Sequence, residues 1–307
     1  MHFAMMGSGA VGGYFGARLA QAGLDVTFIA RGVHLAAIQA NGLKVKSVDG
    51  DFTIHPAKAT DDPASVGPVD TVIVAVKTWQ LDDVIEQMRP LVGDATAVLP
   101  LMNGVEASDR LAAAFGEAQA LNGLCRVISH IGAPGVITHV GAVPTIIFGE
   151  RDSRASDRVQ AIAESLRGAG ITVDIPDDVD AAVWTKLLFV VSMGGVGAVT
   201  RAPMGVVRSM PETRAMLKRC MHEIRAVASG RGITLPDDIV ATALSFTDGL
   251  PPEGETSLQR DIIAGRPSEV EAWTGAVVRL GREEGVATPV NDVIYASLLP
   301  QEMSARE

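Results

Sequence analysis

The sequence predicts an α/β fold, a doubly wound parallel sheet followed by an all-helical domain, on three observations. A glycine-rich turn, Gly7-Ser8-Gly9-Ala10-Val11-Gly12, stands between an apolar strand-like run and a helical one. Short apolar runs then alternate with helical patterns to about residue 178, which implies βαβ units. Beyond that point nearly every segment has helical period. A chain of 307 residues is long for one domain. We therefore expect a Rossmann-type domain over 1–178 and a helical domain over 179–307.

The first domain reads in order. His2–Met6 is a strand and Gly12–Ala22 a helix with small residues on one face; Asp25–Ala30 and Val33–Ala40 repeat the pair. Leu43–Ser47 and Phe52–Pro56 suggest a hairpin-like insertion. Thr71–Val76 is a continuous β-branched run, as a central parallel strand buried on both faces requires. Leu81–Leu91 is helical, Ala97–Leu101 a strand and Ser108–Phe115 a helix. After Pro134-Gly135, Val136–Val140 and Thr145–Phe148 read as an antiparallel pair. Ser156–Gly168 is an amphipathic helix and Ile171–Ile175 a last strand.

The second domain offers helices at Asp180–Met193, Glu212–Arg231, Pro236–Asp248, Ser257–Ala264, Glu269–Glu284 and Val290–Leu299. Its longest apolar stretch, Leu187 to Val199, falls short of the ~20 residues that span a bilayer. With Ser192, Gly194, Gly195 and Gly197 inside it, the stretch reads as a buried helix and its exit.

Composition excludes several classes. With 26 basic and 36 acidic residues the formal net charge is −10, against a general phosphate-backbone binder. Cys125 and Cys220 are too few for a disulfide framework and lack CxxC spacing. The six histidines form no metal-ligand pattern, so no metal is expected. The N-terminus lacks the basic segment of a secretory signal. A cytoplasmic protein with no nucleic-acid or membrane partner is expected, and a homodimer is compatible with the sequence.

A GxGxxG spacing alone is weak, but here it follows a strand and opens a helix. Gly7 permits the tight turn, Gly9 close approach of backbone to a pyrophosphate, and Gly12 close helix–strand packing. The helix N-terminus adds unpaired N–H groups and its positive dipole end. The second strand ends in Ala30-Arg31 rather than a carboxylate. A guanidinium there suits a 2′-phosphate, so NADPH is favoured over NADH; the bland alternative is a solvated arginine. Lys77 follows a central strand, and Asn103-Gly104 follows the next, at the edge where such sheets bind ligands. Either is otherwise an ordinary loop residue.

In the second half, Lys186 sits within the apolar helix Trp184-Thr185-Lys186-Leu187-Leu188, where a lysine either snorkels to the edge or has chemical work. Ser257 begins a later helix. Glu269 and Glu271 follow Ser268, which can cap the helix they start, the acids then merely complementing its dipole.

Taken together, GSGAVGGYFGARL, Arg31-Gly32, VKTWQ, MNGVE, APGVITHVG, WTKLLF, SLQRDIIAGRPSEVE and GVATPVND occur in an order that resembles the ketopantoate reductase (2-dehydropantoate 2-reductase) family, essentially end to end. The resemblance implies an oxidoreductase that reduces a 2-oxo acid with NADPH, ketopantoate to pantoate in pantothenate biosynthesis or a related bulky oxo acid. It implies that Lys186 is the proton donor, with Glu269 close to it and to the cofactor. It further implies that Asn103 lies near nicotinamide ribose and substrate, that Ser257 touches the substrate, and that Lys77 and Gln80 lie along the dinucleotide. The sequence departs from the family at three asparagines of the substrate grip, which are Val190, Gly194 and Met204 here. Each lost polar contact is worth ~0.5–1.5 kcal/mol. Arg201 is a candidate replacement for the carboxylate contact, against the more ordinary reading of a surface or interface arginine. Two other functions stay open: a reductase of this family for a less polar ketone, an imine or a 3-hydroxy acid, and a non-catalytic NADPH-binding protein.

Overall fold

The computed structural model describes residues 1–307, which form two compact units: Met1–Met102 with Ala107–Val179, and Asn103–Glu106 with Asp180–Glu307. In the first unit, β1 (His2–Met6), β2 (Asp25–Ile29), β5 (Lys58–Thr60), β6 (Thr71–Val74) and β7 (Ala97–Pro100) make an all-parallel sheet in the order β5-β2-β1-β6-β7. The order reverses at β1, so the carboxyl end of β1 is the switch point at which such a sheet opens a crevice. Ala4, Met6, Val72, Val74 and Val98 bury one face of this sheet against α3 (Leu81–Met88) and α4 (Ala107–Phe115). The opposite face packs on α1 (Ala10–Gln21).

That helix has a second sheet on its far side, which the expected single sheet did not include. β3 (Leu43–Ser47) and β4 (Phe52–Ile54) form the expected hairpin, and β3 also runs parallel to β9 (Val136–Glu150). The expected antiparallel pair Val136–Val140 and Thr145–Phe148 is instead this one long strand. Its antiparallel partner is β8 (Leu121–Ala133), a strand absent from the sequence reading, and β10 (Thr172–Asp174) closes the edge. The reason is physical. Gly141 and Ala142 carry φ of 150° and 58°, so the turn signal between the two halves is a kink within one strand. β8 is buried on both faces at its start and exposed at its end, so it has no steady period-2 alternation. α5 (Asp157–Gly168), capped by the Ser156 hydroxyl, completes this core with Val159, Ile162 and Leu166.

α1 is thus sandwiched, and its small residues serve both sides. A Cβ on Gly16 would lie 2.6 Å from Met5 in the first sheet, and one on Gly13 2.9 Å from Ile137 in the second. Helix and sheets approach this closely because the glycines carry no side chain.

The second unit is built around α6 (Val179–Thr200). By length and composition this helix could cross a membrane. Here Leu187, Leu188, Val191 and Val196 are packed among Leu217 and Ile224 of α8 (Pro211–Gly230), Leu258 and Ile262 of α10 (Ser257–Ile263), and Ile294 of α12 (Pro289–Arg306). Gly194, Gly195 and Gly197 do not end the helix as expected. They lie inside it, each costing helix propensity of ~1 kcal/mol, because α6 is crowded on all sides: a Cβ on Gly195 would meet Ile294 at 2.9 Å. The short α7 (Met204–Ser209) was not anticipated; α9 (Ile239–Asp248) was. The expected helix Glu269–Glu284 is a π-turn, Glu271–Gly275, followed by α11 (Ala276–Glu283).

Candidate active site

In the first unit the expected cofactor residues gather at the carboxyl edge of the parallel sheet. β1 ends at Met6 and the chain turns at Gly7, φ 94°, where a Cβ would strike Val76 Cγ1 at 2.5 Å. Gly12 has its missing Cβ 2.1 Å from Gly7 O and 3.1 Å from Ala75 Cβ. The glycine turn therefore sits directly on Ala75-Val76, the residues before Lys77. Gly9, by contrast, faces open space, with Ile131 Cδ1 at 3.9 Å the nearest atom to a Cβ there. Gly9 is also the N-cap of α1, with no side-chain cap and no acid in the first turn. The donors at Ala10, Val11 and Gly12 are left for a ligand, which is the fit a dinucleotide pyrophosphate needs.

Three contacts fix this turn, none of them legible in the sequence. Ser8 is buried, its amide and hydroxyl both directed to Ile29 O of β2 at 3.0 and 3.1 Å, so it offers backbone rather than hydroxyl. Ser129 of β8 donates to Ala10 O at 3.0 Å. His34, on α2 (Gly32–Asn41), accepts from Gly135 N at Nδ1 (3.1 Å) and so carries its proton on Nε2, which donates to Ser8 O at 2.9 Å. Its partner Gly135 is 101 residues away in sequence, which is why the histidine looked isolated.

Arg31 is the N-cap of α2, extended (φ −142°) and exposed one residue past Ala30, with no side-chain bond to the helix it precedes. Beyond β6, Gln80 Oε1 accepts from Lys77 N at 3.2 Å, and Lys77 Nζ lies 5.6 Å from the centre of the Trp79 ring. Gln80 is thereby partly engaged in shaping the turn that presents Lys77.

In the second unit Asn103 Nδ2 donates to Glu269 Oε2 at 3.0 Å. Gly104, φ 93°, lets this segment lie against Ala272, whose carbonyl would be 3.1 Å from a Cβ there. The Glu269 segment is held from the far end of the chain. Glu302 of α12, 1% exposed, accepts from Ser268 N at 2.8 Å and from the Ser268 hydroxyl, and Arg306 donates to Glu302 at 2.6 Å. The Ser268 hydroxyl also receives Val270 N at 3.3 Å, but the helical segment starts only at Glu271 with Val270 as its N-cap, so Ser268 is not the cap that the sequence suggested. Glu271 accepts from Tyr295 at 2.6 Å; burial, together with that neighbouring carboxylate, pushes the Tyr295 hydroxyl up to about 12.

Lys186 is half-buried on α6 between Trp184 and Leu187, with Val190 and Gly194 following on the same stripe one and two turns later. Ser257 opens α10, but Thr256 does the capping, its hydroxyl accepting from Gln259 N at 3.2 Å, so the Ser257 hydroxyl is not consumed there. Met204 is buried at the start of α7. Arg201 is exposed, with φ 54°, and reaches toward Gln301 of α12. It stands about 22 Å along α6 from Lys186, too far to grip a small acid held at that lysine; the surface reading is the correct one. No cluster of metal-ligating side chains is present.

Each of the two units has parallels among known proteins. The family model described as ketopantoate reductase PanE/ApbA matches residues 3–153, and its C-terminal counterpart matches 178–302. The chain is 31% identical to the 2-dehydropantoate 2-reductase of Nostoc sp. over 300 residues, 96% of this chain and 93% of that one. It is 31% identical over 317 residues to the enzyme of the same name from Mesorhizobium japonicum, covering 96% of each. The crystal structure of a 2-dehydropantoate 2-reductase from Geobacter metallireducens superposes with a TM-score of 0.92 at 34% identity, covering 98% of this chain and 99% of that one. The two family matches together span nearly the whole sequence, and the chain belongs to the ketopantoate reductase family, a nicotinamide-dependent oxidoreductase of the 2-dehydropantoate 2-reductase type.

Proposed function

We propose that the chain reduces a 2-oxo acid to the 2-hydroxy acid with NADPH, ketopantoate or a related bulky oxo acid being the substrate. The carrying observation is the Asn103–Glu269 hydrogen bond of 3.0 Å in the unit that also holds Lys186 on its central helix. When bound, NADPH supplies the hydride that adds to the ketone carbon. The glycine turn holds the pyrophosphate through the uncapped amides of α1, and Arg31 grips the 2′-phosphate. Lys186 does the remaining chemistry. Its ammonium lies against the carbonyl oxygen, stabilises the negative charge that builds there, and passes its Nζ proton to that oxygen. Glu269, oriented by Asn103, keeps carboxylate charge in the same unit, and Ser257 offers a hydroxyl to the substrate.

The test is loss of NADPH absorbance with a panel of 2-oxo acids, for wild type and Lys186→Ala. We expect turnover by wild type and a fall in kcat of about 10²–10⁴-fold in the variant, with the Kd for NADPH changed only a few-fold. An unchanged kcat would remove Lys186 from the chemistry. Binding of NADPH without turnover of any acid would favour a non-catalytic binder.

A further inference from the structure

The Ser8–Gly9 peptide is the loosest joint of the glycine turn. On its amino side Ser8 is anchored, its amide and hydroxyl both meeting Ile29 O. On its carboxyl side Gly9 O is taken by Gly13 N at 2.7 Å and Ala10 O by the Ser129 hydroxyl at 3.0 Å. Between these anchors the peptide can turn over by rotation about Ser8 ψ and Gly9 φ, since glycine accepts either sign of φ. The two orientations are opposite for an anion. In a trans peptide C=O and N–H point opposite ways, so one orientation offers the Gly9 N–H to a phosphate and the other the Ser8 carbonyl oxygen. His34 makes the choice. Its Nε2 donates to Ser8 O at 2.9 Å, and the Gly135 amide, donating to Nδ1 at 3.1 Å, keeps the proton on Nε2. The Ser8 carbonyl is thereby held toward α2, and the Gly9 N–H, on the other edge of the peptide, makes no hydrogen bond within the chain. Gly135 lies in the turn between β8 and β9, with φ 73°, so the second sheet sets the histidine's tautomer. The imidazole is only half-buried, so replacing it removes these two bonds rather than core volume.

We propose that His34 is a positioning residue for the dinucleotide: by holding the Ser8 carbonyl it fixes the Ser8–Gly9 peptide with its N–H turned to the pyrophosphate. The proposal rests on the cofactor reading above, in which the glycine turn holds that pyrophosphate. The histidine acts through the backbone and needs no contact with the nucleotide. It serves the part that NADPH and NADH share, whereas Arg31 serves the 2′-phosphate that only NADPH carries. Loss of His34 should therefore weaken both nucleotides by one common factor.

Three variants separate aiming from tethering. His34→Gln carries an amide N–H at the distance of the imidazole Nε2 and keeps the donor to Ser8 O. His34→Asn carries an oxygen at the distance of Nδ1, so it keeps the acceptor for Gly135 N but is too short for Ser8 O. His34→Ala keeps neither. Each is titrated with NADPH and with NADH by fluorescence, after a urea melt has shown it folded. We expect the Kd of both nucleotides to rise about tenfold in His34→Ala and His34→Asn, as loss of one charge-assisted bond requires, and to stay within about threefold of wild type in His34→Gln. If His34→Ala does not fold, the comparison of His34→Asn with His34→Gln decides alone. Wild-type affinity in His34→Asn, or a loss in His34→Gln as large as in His34→Asn, overturns the proposal. A loss confined to NADPH overturns it too, by tracing the effect to Arg31 on the same helix. Wild-type protein that binds neither nucleotide overturns the cofactor reading itself, and the proposal with it.

Discussion

At the scale of single residues, charge decides the most. Arg31 is exposed, caps nothing with its side chain and stands where a dinucleotide fold meets the adenosine ribose. Charge-assisted bonds to a phosphate are worth about 1.5–3 kcal/mol, so Arg31→Ala should weaken NADPH by about tenfold to a hundredfold while NADH binding stays nearly unchanged. Fluorescence titration with both nucleotides decides it; equal losses would place the arginine outside the phosphate site. Glu150 illustrates a charge with a structural task. It is buried at the end of β9. Burial pushes its carboxyl up, but hydrogen bonds from Arg158 and Ser156 outweigh that and hold it below the usual carboxylate range. A lowered pKa in the folded state stabilises above the unfolded value and loses that stabilisation as pH falls through the folded one. Arg158→Ala should therefore cost about 2–3 kcal/mol at neutral pH, less than a fully buried pair because the arginine is partly in water. The gap to wild type should narrow below about pH 4.5, as urea melts across that range would record.

At the scale of elements, α1 carries the heaviest constraint, since it both starts on the uncapped glycine turn and fills the space between two sheets. Gly12 and Gly13 are adjacent but not equivalent. At Gly12 the obstacle is a backbone carbonyl 2.1 Å away, while at Gly13 it is chiefly the flexible Ile137 side chain at 2.9 Å, with Ser8 O at 3.1 Å. Gly12→Ala should destabilise by about 3 kcal/mol or more, or prevent folding. Gly13→Ala should cost about 1–2 kcal/mol, because overpacking is partly offset by alanine's better helix propensity. Denaturant midpoints that came out equal would contradict the packing argument. α12 shows the same coupling in the second unit: its last turns, through Glu302 and Arg306, hold the backbone that presents Glu269.

At the scale of the whole molecule, bound cofactor should be visible as stability. A nucleotide at about 100 times its Kd adds about 2.7 kcal/mol to a folded chain. For wild type, NADPH should raise the apparent Tm by several degrees more than NADH at the same concentration, and Arg31→Ala should abolish that difference. A calorimetric scan with each nucleotide measures it; identical shifts would argue for indifference to the 2′-phosphate.

The sequence by itself determined the βα alternation, the glycine turn and the helical second half, and it nominates Arg31, Lys77, Asn103, Lys186, Ser257 and Glu269 as site residues. All of these depend on local period, on backbone freedom at glycine or on motif order, which are properties of neighbouring residues. Only the tertiary structure decided that α1 lies between two sheets, that β8 exists, and that Gly194, Gly195 and Gly197 continue a helix. It alone brought Asn103 to Glu269 across 166 residues and His34 to Gly135 across 101. Such pairings follow from burial and shape between distant segments, which local periodicity does not encode. The apolar covering of Gly194 by Trp273 belongs to the same class: a glycine and a tryptophan in sequence, one packed surface in the fold.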